Sequence, residues 1–209
     1  MDYSFNLDWV FLPQIADYKT VLDVGCGWGS NIRTLRNMYG TNVTGLTHSE
    51  QQAEYLKDED VILANANEFK TNKKYDCITY IQSLTHMRDT SVTNLANATN
   101  NFFIADFIVT DRFTPKFNPQ WAMKIRTEKE YRDMFKSIDF EIDYFNILPY
   151  EAYHKKARLW LNNIYSHNIT NGHQINMLQR LCEDIIGNMH RLQNILMVDI
   201  HARRSLNSN

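Results

Sequence analysis

Residues 21–30 read "VLDVGCGWGS", and the reading of this stretch decides the fold. Its first half is apolar, β-branched and closed by glycine, the pattern of a buried strand. Its second half spaces Gly25, Gly27 and Gly29 as G-x-G-x-G. A dinucleotide fingerprint needs G-x-G-x-x-G, whose last glycine lets a helix pack close behind a pyrophosphate. That last glycine is missing here, and no G-K-[ST] follows to make a P-loop. Two readings remain open for the turn. Either backbone approaches a ligand closely, or the turn simply joins strand to helix. Asp23, two residues ahead of the first glycine, suits a ligand carrying an ammonium group rather than a phosphate.

Outward from the turn the chain alternates. "SNIRTLRNMY" has apolar residues at helical spacing and is closed by Gly40. "NVTGLT" reads as a second strand, "SEQQAEYLK" as a helix capped by Ser49, and "VILANA", "YDCITYIQS" and "NFFIADFIV" as three further strands. A helix around "DTSVTNLANAT" joins the fourth strand to the fifth. "TDRFTPKFNPQWAMKIR" reads as an irregular crossing, and Thr127 ahead of Glu130 forms a capping-box pattern before the helix "TEKEYRDMFKSI". "DFEIDYFNIL" is a sixth strand. Helical segments at about residues 150–166 and 174–189 precede a seventh, "LQNILMVDIHAR". This rhythm predicts an α/β fold with an open, mostly parallel, doubly wound sheet. No repeat or linker divides it, so residues 1–209 read as one domain with a helical insertion at about 150–190.

Composition narrows the partners. Of the 209 residues, 44% are hydrophobic and 22% charged, as in ordinary soluble globular chains. The net charge of −2 lacks the basic excess of a protein that grips a phosphate backbone. The basic clusters "TNKKY", "HKKAR" and "HARRS" are short enough to be solvated faces. No apolar run is long enough to span a bilayer, and the first residues carry no secretory pattern. Cys26, Cys77 and Cys182 form neither a disulfide framework nor a metal-ligand spacing, and the histidines form no metal grouping. A cytoplasmic protein acting on a small molecule, with no metal, is the expectation.

"VLDVGCGWGSN" followed by "VTGLTHSEQQ" resembles the class I S-adenosyl-L-methionine (SAM)-dependent methyltransferases, and more narrowly the cyclopropane fatty acid synthase group. "LANANEF", "ITYIQSLTHM", "YHKKARLWLNN" and "MLQRLCEDIIGNMHRLQNILMVDI" extend the likeness over most of residues 20–203. The resemblance implies a Rossmann-like seven-stranded sheet with a helical insertion between its last two strands, and SAM as cofactor. By position it places Asp23, Gly25, Cys26 and Gly27 along the methionine end. Thr47 and His48 stand where most class I enzymes carry a ribose-binding acid, and Gln52 would take the ribose. Asn65, Ala66 and Asn67 would flank adenine, with Ala66 in place of a tryptophan, and Ile81 and Gln82 would edge the sulfonium. Asp23 as a turn-stabilising carboxylate and Gln52 as a solvated helix residue are the plainer alternatives.

The chemistry is less determined. A methyl sulfonium is already activated, so transfer needs alignment of a nucleophile and exclusion of water, with a base only for a protonated acceptor. In the resembled group a bicarbonate nest includes a Glu from a Glu-His pair. Here the pair is Thr85-His86, and the nest's tyrosine is matched by Tyr153. With that carboxylate missing, and few residues ahead of the first strand to form a lid, lipid cyclopropanation is not expected. His86, just past strand four, is the candidate base, or else a hydrogen-bonded loop histidine. Tyr153 is the candidate for orienting an acceptor, or else a structural aromatic. Nothing like D-P-P-Y or N-P-P-Y follows strand four, which argues against nucleic-acid bases as acceptors. The expected function is methyl transfer to N, O or C of a small molecule. A SAM-consuming cyclase or lyase releasing methylthioadenosine and a non-catalytic SAM-binding protein are the alternatives.

Overall fold

The computed structural model describes residues 15–110, 117–118, 123–148, 162 and 195–205. In chain order the elements are β1 (Thr20–Val24), α1 (Ser30–Tyr39), β2 (Asn42–Thr47), α2 (Glu50–Tyr55), β3 (Val61–Leu63), β4 (Cys77–Ile81) and α3 (Thr90–Leu95). They continue with β5 (Asn101–Val109), the short pair β6 (Phe117–Asn118) and β7 (Met123–Lys124), α4 (Glu128–Lys136), β8 (Phe140–Leu148) and β9 (Ile195–Arg204). Seven strands form the main sheet in the order β3-β2-β1-β4-β5-β9-β8. The chain winds outward from β1 to β3, then returns to lay β4 against the other side of β1. That reversal opens a crevice beyond the carboxyl ends of β1 and β4, where ligands bind in such sheets.

The sequence segments read as strands are the seven strands of this sheet, with two refinements. The first five run parallel, whereas β9 is antiparallel to both β5 and β8. The third strand stops at Leu63, because Asn65 Oδ1 accepts the Asn67 N–H at 3.1 Å and turns the chain. The crossing expected to be irregular contains the β6–β7 ribbon, pairing Phe117 with Lys124 and Asn118 with Met123. Asn162 apart, the helical insertion expected at about 150–190, with Tyr153 in it, lies outside the described residues.

Local signals fix the helix ends. Gly40, at φ 68°, donates to Arg36 O (3.0 Å) while Thr41 N–H donates to Leu35 O (3.3 Å), closing α1. The α4 capping box forms as the spacing predicts: Glu130 N–H donates to Thr127 Oγ1 (3.3 Å) and Thr127 N–H to Glu130 Oε2 (2.8 Å).

The sheet buries both faces. Phe103, Ala105 and Phe107 of β5 join Ile32, Leu35 and Val43 on one side. Phe102, Ile104 and Ile108 join Tyr131, Phe135 and Phe140 on the other. This period-two division places Asp106 on the second face, inside an otherwise apolar strand. At the antiparallel edge a bulge between Ile142 and Tyr144 aims Asp143 at its neighbours. Its carboxylate meets His201 Nδ1 at 2.7 Å and Arg203 Nε at 2.8 Å, and His201 Nε2 meets the Tyr18 hydroxyl at 2.9 Å. This polar seam ties the segment ahead of β1 to the last strand. Among the described residues no helix is long and apolar enough to cross a membrane, and no metal-binding group of His, Cys, Asp and Glu assembles.

Candidate functional site

The three turn glycines all take left-handed backbone, with φ of 78°, 55° and 78° at Gly25, Gly27 and Gly29, but for different reasons. A Cβ on Gly25 would sit 2.6 Å from Ser83 Cβ and 3.0 Å from Met87 Cε. A Cβ on Gly29 would sit 2.5 Å from Leu56 Cδ2. These two are glycines because the β4 turn and the segment after α2 press against them. At Gly27 nothing among the described residues lies within 4 Å of the Cβ position. Here no described side chain crowds the backbone, and the positive φ is what constrains the residue.

Beneath the turn, Asp23 is 1% exposed. It accepts from Thr79 Oγ1 at 2.9 Å and from Asn31 Nδ2 at 3.4 Å, bracing β1 against β4 and α1. Gly25 and Cys26 N–H groups donate to Leu46 O at 2.8 and 3.1 Å, tying the turn to β2. Burial, helped by the nearby Asp23 charge, pushes the Cys26 thiol up to about 12. It therefore stays a neutral thiol and not a nucleophilic thiolate.

The other proposed cofactor residues leave the same edge. At the end of β2, buried Thr47 donates to Gln52 Oε1 (2.6 Å) and accepts from Ser49 N–H (3.2 Å), with His48 exposed beside it. Past β3, Asn65 is exposed and Ala66 buried. Asn67 Oδ1 accepts from Arg88 N–H at 2.7 Å and Asn67 O from Asn94 Nδ2 at 3.0 Å. At the end of β4, Ile81 is buried and Gln82 takes φ 52°. A non-glycine residue at positive φ at a crevice edge marks locally stored strain. Gln82 N–H donates to Ala105 O at 2.7 Å, and its side-chain nitrogen lies 4.0 Å from Met197 Sδ.

The turn after β4 is packed from several sides. Ser83 Oγ donates to Val24 O at 2.6 Å. Leu84–His86 makes one 3₁₀ turn whose Thr85 is buried and whose His86 is exposed. Asp106, fully buried on β5, accepts from Thr85 N–H (2.9 Å), Thr85 Oγ1 (3.0 Å) and its neighbour Phe107 N–H (2.8 Å). Burial raises the Asp106 pKa above the ordinary value, and those hydrogen bonds oppose the rise only in part. Arg126, 1% exposed, donates to Leu84 O and Met87 O at 3.0 Å each, and to Asp89 Oδ1 at 2.9 and 2.6 Å. Burial works to raise the Asp89 pKa, but Arg126 and Lys124 overcome it and hold the carboxyl below its usual range.

Residues 13–131 match a family model described as mycolic acid cyclopropane synthetase. The chain belongs to this family. Among curated members, (S)-tetrahydroprotoberberine N-methyltransferase of Eschscholzia californica is 38% identical over 86 residues, covering 36% of this chain and 25% of that enzyme. The chain thus matches about a quarter of the length of its curated family relatives. A cyclopropane synthase from Mycobacterium tuberculosis superposes with TM-score 0.69 at 18% identity, over 89% of this chain and 78% of the other. Coclaurine N-methyltransferase, solved with N-methylheliamine and S-adenosylhomocysteine, superposes with TM-score 0.71 at 18% identity, over 91% and 69%. The fold is that of the class I methyltransferases, a Rossmann-like seven-stranded sheet.

Within this family frame, the structure brings Asp23, Gly25, Cys26, Gly27, Thr47, His48, Gln52, Asn65, Ala66, Ile81 and Gln82 to one sheet edge, with His86 just beyond it. Three residues that pattern reading passed over complete the surroundings: Ser83, Asp106 and Arg126. A single carboxylate in the apolar run "NFFIADFIV" was the available signal for Asp106, since such a group survives in a core strand only with dedicated partners. Arg126 carries no comparable local signal.

Proposed function

We propose that the chain binds SAM at the carboxyl edge of β1, β2 and β4 and transfers its methyl group to a small-molecule acceptor, with an amine nitrogen favoured. The carrying observation is Gly27, left-handed and open where both neighbouring glycines are packed shut. A backbone that is open at one point in a tight crevice turn fits close approach of a ligand's amino-acid end. The remaining residues suit the rest of such a ligand: the Thr47–Gln52 pair for ribose hydroxyls, Asn65–Asn67 with buried Ala66 for adenine, and Ile81 as an apolar wall. When bound, the sulfonium supplies an activated methyl group. The protein then aligns the acceptor and excludes water.

His86, exposed at the crevice mouth, is the group placed to take a proton from an acceptor that arrives protonated. Tyr153 is assigned to acceptor orientation on the family resemblance alone. Two features favour an amine over an alkene acceptor: the N-methylating relatives, and the absence of a carboxylate at position 85, where Thr85 is turned onto Asp106. Buried, unpaired Cys26 and Cys77 fit a reducing compartment, and we assign the protein to the cytoplasm.

The pocket is tested with Gly27→Val. Calorimetry with S-adenosylhomocysteine is expected to show affinity lost by more than about 100-fold, some 2.7 kcal/mol, in a protein that still melts cooperatively. Unchanged affinity overturns the assignment. The reaction is tested by incubating the protein with SAM, with and without the amine heliamine. S-adenosylhomocysteine formed only with the amine supports transfer; methylthioadenosine formed without it sinks transfer in favour of cyclisation or cleavage of the donor.

A further inference from the structure

Asp106 cannot touch an acceptor, because it is fully buried. Yet two of its three hydrogen bonds go to a single residue of the turn that carries His86: the N–H and the hydroxyl of Thr85. We propose that Asp106 is a positioning residue for the acceptor side of the site. It fixes the Thr85–His86 turn from the layer beneath, so that His86 is the polar group this turn presents.

Three observations support this. Thr85 is 1% exposed with its hydroxyl committed to Asp106, so position 85 offers no polar group to the crevice. Both carboxylate oxygens of Asp106 are used, one by Thr85 N–H and the other by Thr85 Oγ1 and Phe107 N–H. A buried carboxylate is tolerated where its acceptor sites are filled in this way, and the fixed donors lock its geometry. Finally, Arg126 spans the same turn, donating to Leu84 O at its start, to Met87 O, and to Asp89 at its end, so residues 84–89 are held along their length. The buried polar groups that hold this turn, Asp106 and Arg126, come from strand β5 and from the segment ahead of α4. Residue 85 itself contributes neither.

The inference rests on the methyl-transfer reading, and the experiment separates the two. Asp106→Asn keeps the shape and one oxygen acceptor; Asp106→Leu removes both. With saturating SAM and heliamine as acceptor probe, kcat in Asp106→Leu is expected to fall about tenfold or more, while the heliamine KM and the affinity for S-adenosylhomocysteine stay within about threefold. Asp106→Asn recovers most of the rate. Unchanged kcat in Asp106→Leu, or a loss of donor affinity equal to the loss of rate, overturns the proposal. If the wild-type protein does not methylate heliamine, amide hydrogen exchange decides instead. Faster exchange at Thr85 and His86 in Asp106→Leu, with the β1–α1 turn unaltered, upholds it; unaltered exchange at Thr85 and His86 overturns it. Should Asp106→Leu fail to fold, the same comparisons are made between Asp106→Asn and wild type, where full rate and unaltered exchange overturn it.

Discussion

Two turns leave the same edge of the sheet, one after β1 and one after β4, and they are built on opposite principles. The first is made of glycines and is left open at Gly27. The second, residues 84–89, is made of ordinary side chains and is closed by buried charge from Asp106 and Arg126. The contrast separates two kinds of specificity. A turn shaped by left-handed backbone can be written locally, in three glycines. A turn held in one shape by side chains is written by residues far along the chain, as the Thr85–Asp106 and Leu84–Arg126 separations of 21 and 42 show.

The largest test of that contrast is Arg126→Met. It removes the buried guanidinium's hydrogen bonds to Leu84 O, Met87 O and Asp89, and should destabilise the fold by about 3 kcal/mol, read as a fall in Tm of roughly 10 °C. A loss smaller than that of an average surface substitution would break the claim that buried charge closes the second turn. Next, Gly25→Ala should cost about 2 kcal/mol, from left-handed strain plus collision with Ser83. Gly27→Ala should cost only the strain, about 1 kcal/mol. Equal losses in chemical denaturation would erase the distinction drawn between the two glycines.

The smallest effect is in pH. Asp89 has its pKa lowered by Arg126 and Lys124 despite burial. Its contribution is therefore fully present above the ordinary value of 3.8 and is lost as pH falls through the lower folded value. Asp89 is half exposed, so the contribution is under about 1 kcal/mol. The Tm gap between wild type and Asp89→Asn should be present at pH 6 and close on acidification. A gap that widens in acid contradicts the pairing.

The parallel half of the fold was legible because its signals are short in range. Strand composition, the Ser49 and Thr127 caps and the Gly40 stop all act within a few residues, and each forms as the spacing predicts. The residues that the family resemblance singled out lie along one end of the parallel strands for the same reason. What escaped was set by pairing across the chain. The direction of β9 depends on which strand it meets, and its neighbour β5 is about 90 residues earlier. The β6–β7 ribbon lies in a stretch whose prolines read only as loop. Arg126 looks like any charged residue ahead of a helix until its partners in residues 84–89 fold against it.

The place of β9 also sets an order of events. It lies between β5 and β8, so β8 has no strand to pair with in the sheet, and β5 none on its second side, until residues 195–204 have been made. During synthesis the first five strands can assemble in turn, each beside one already present. The long edge of β5, from Phe102 to Val109, then waits unpaired until residues 195–204 have been made. A nascent chain stalled between α4 and β9 would thus carry the assembled parallel strands and a bare strand edge, and that edge is where a chaperone would find it.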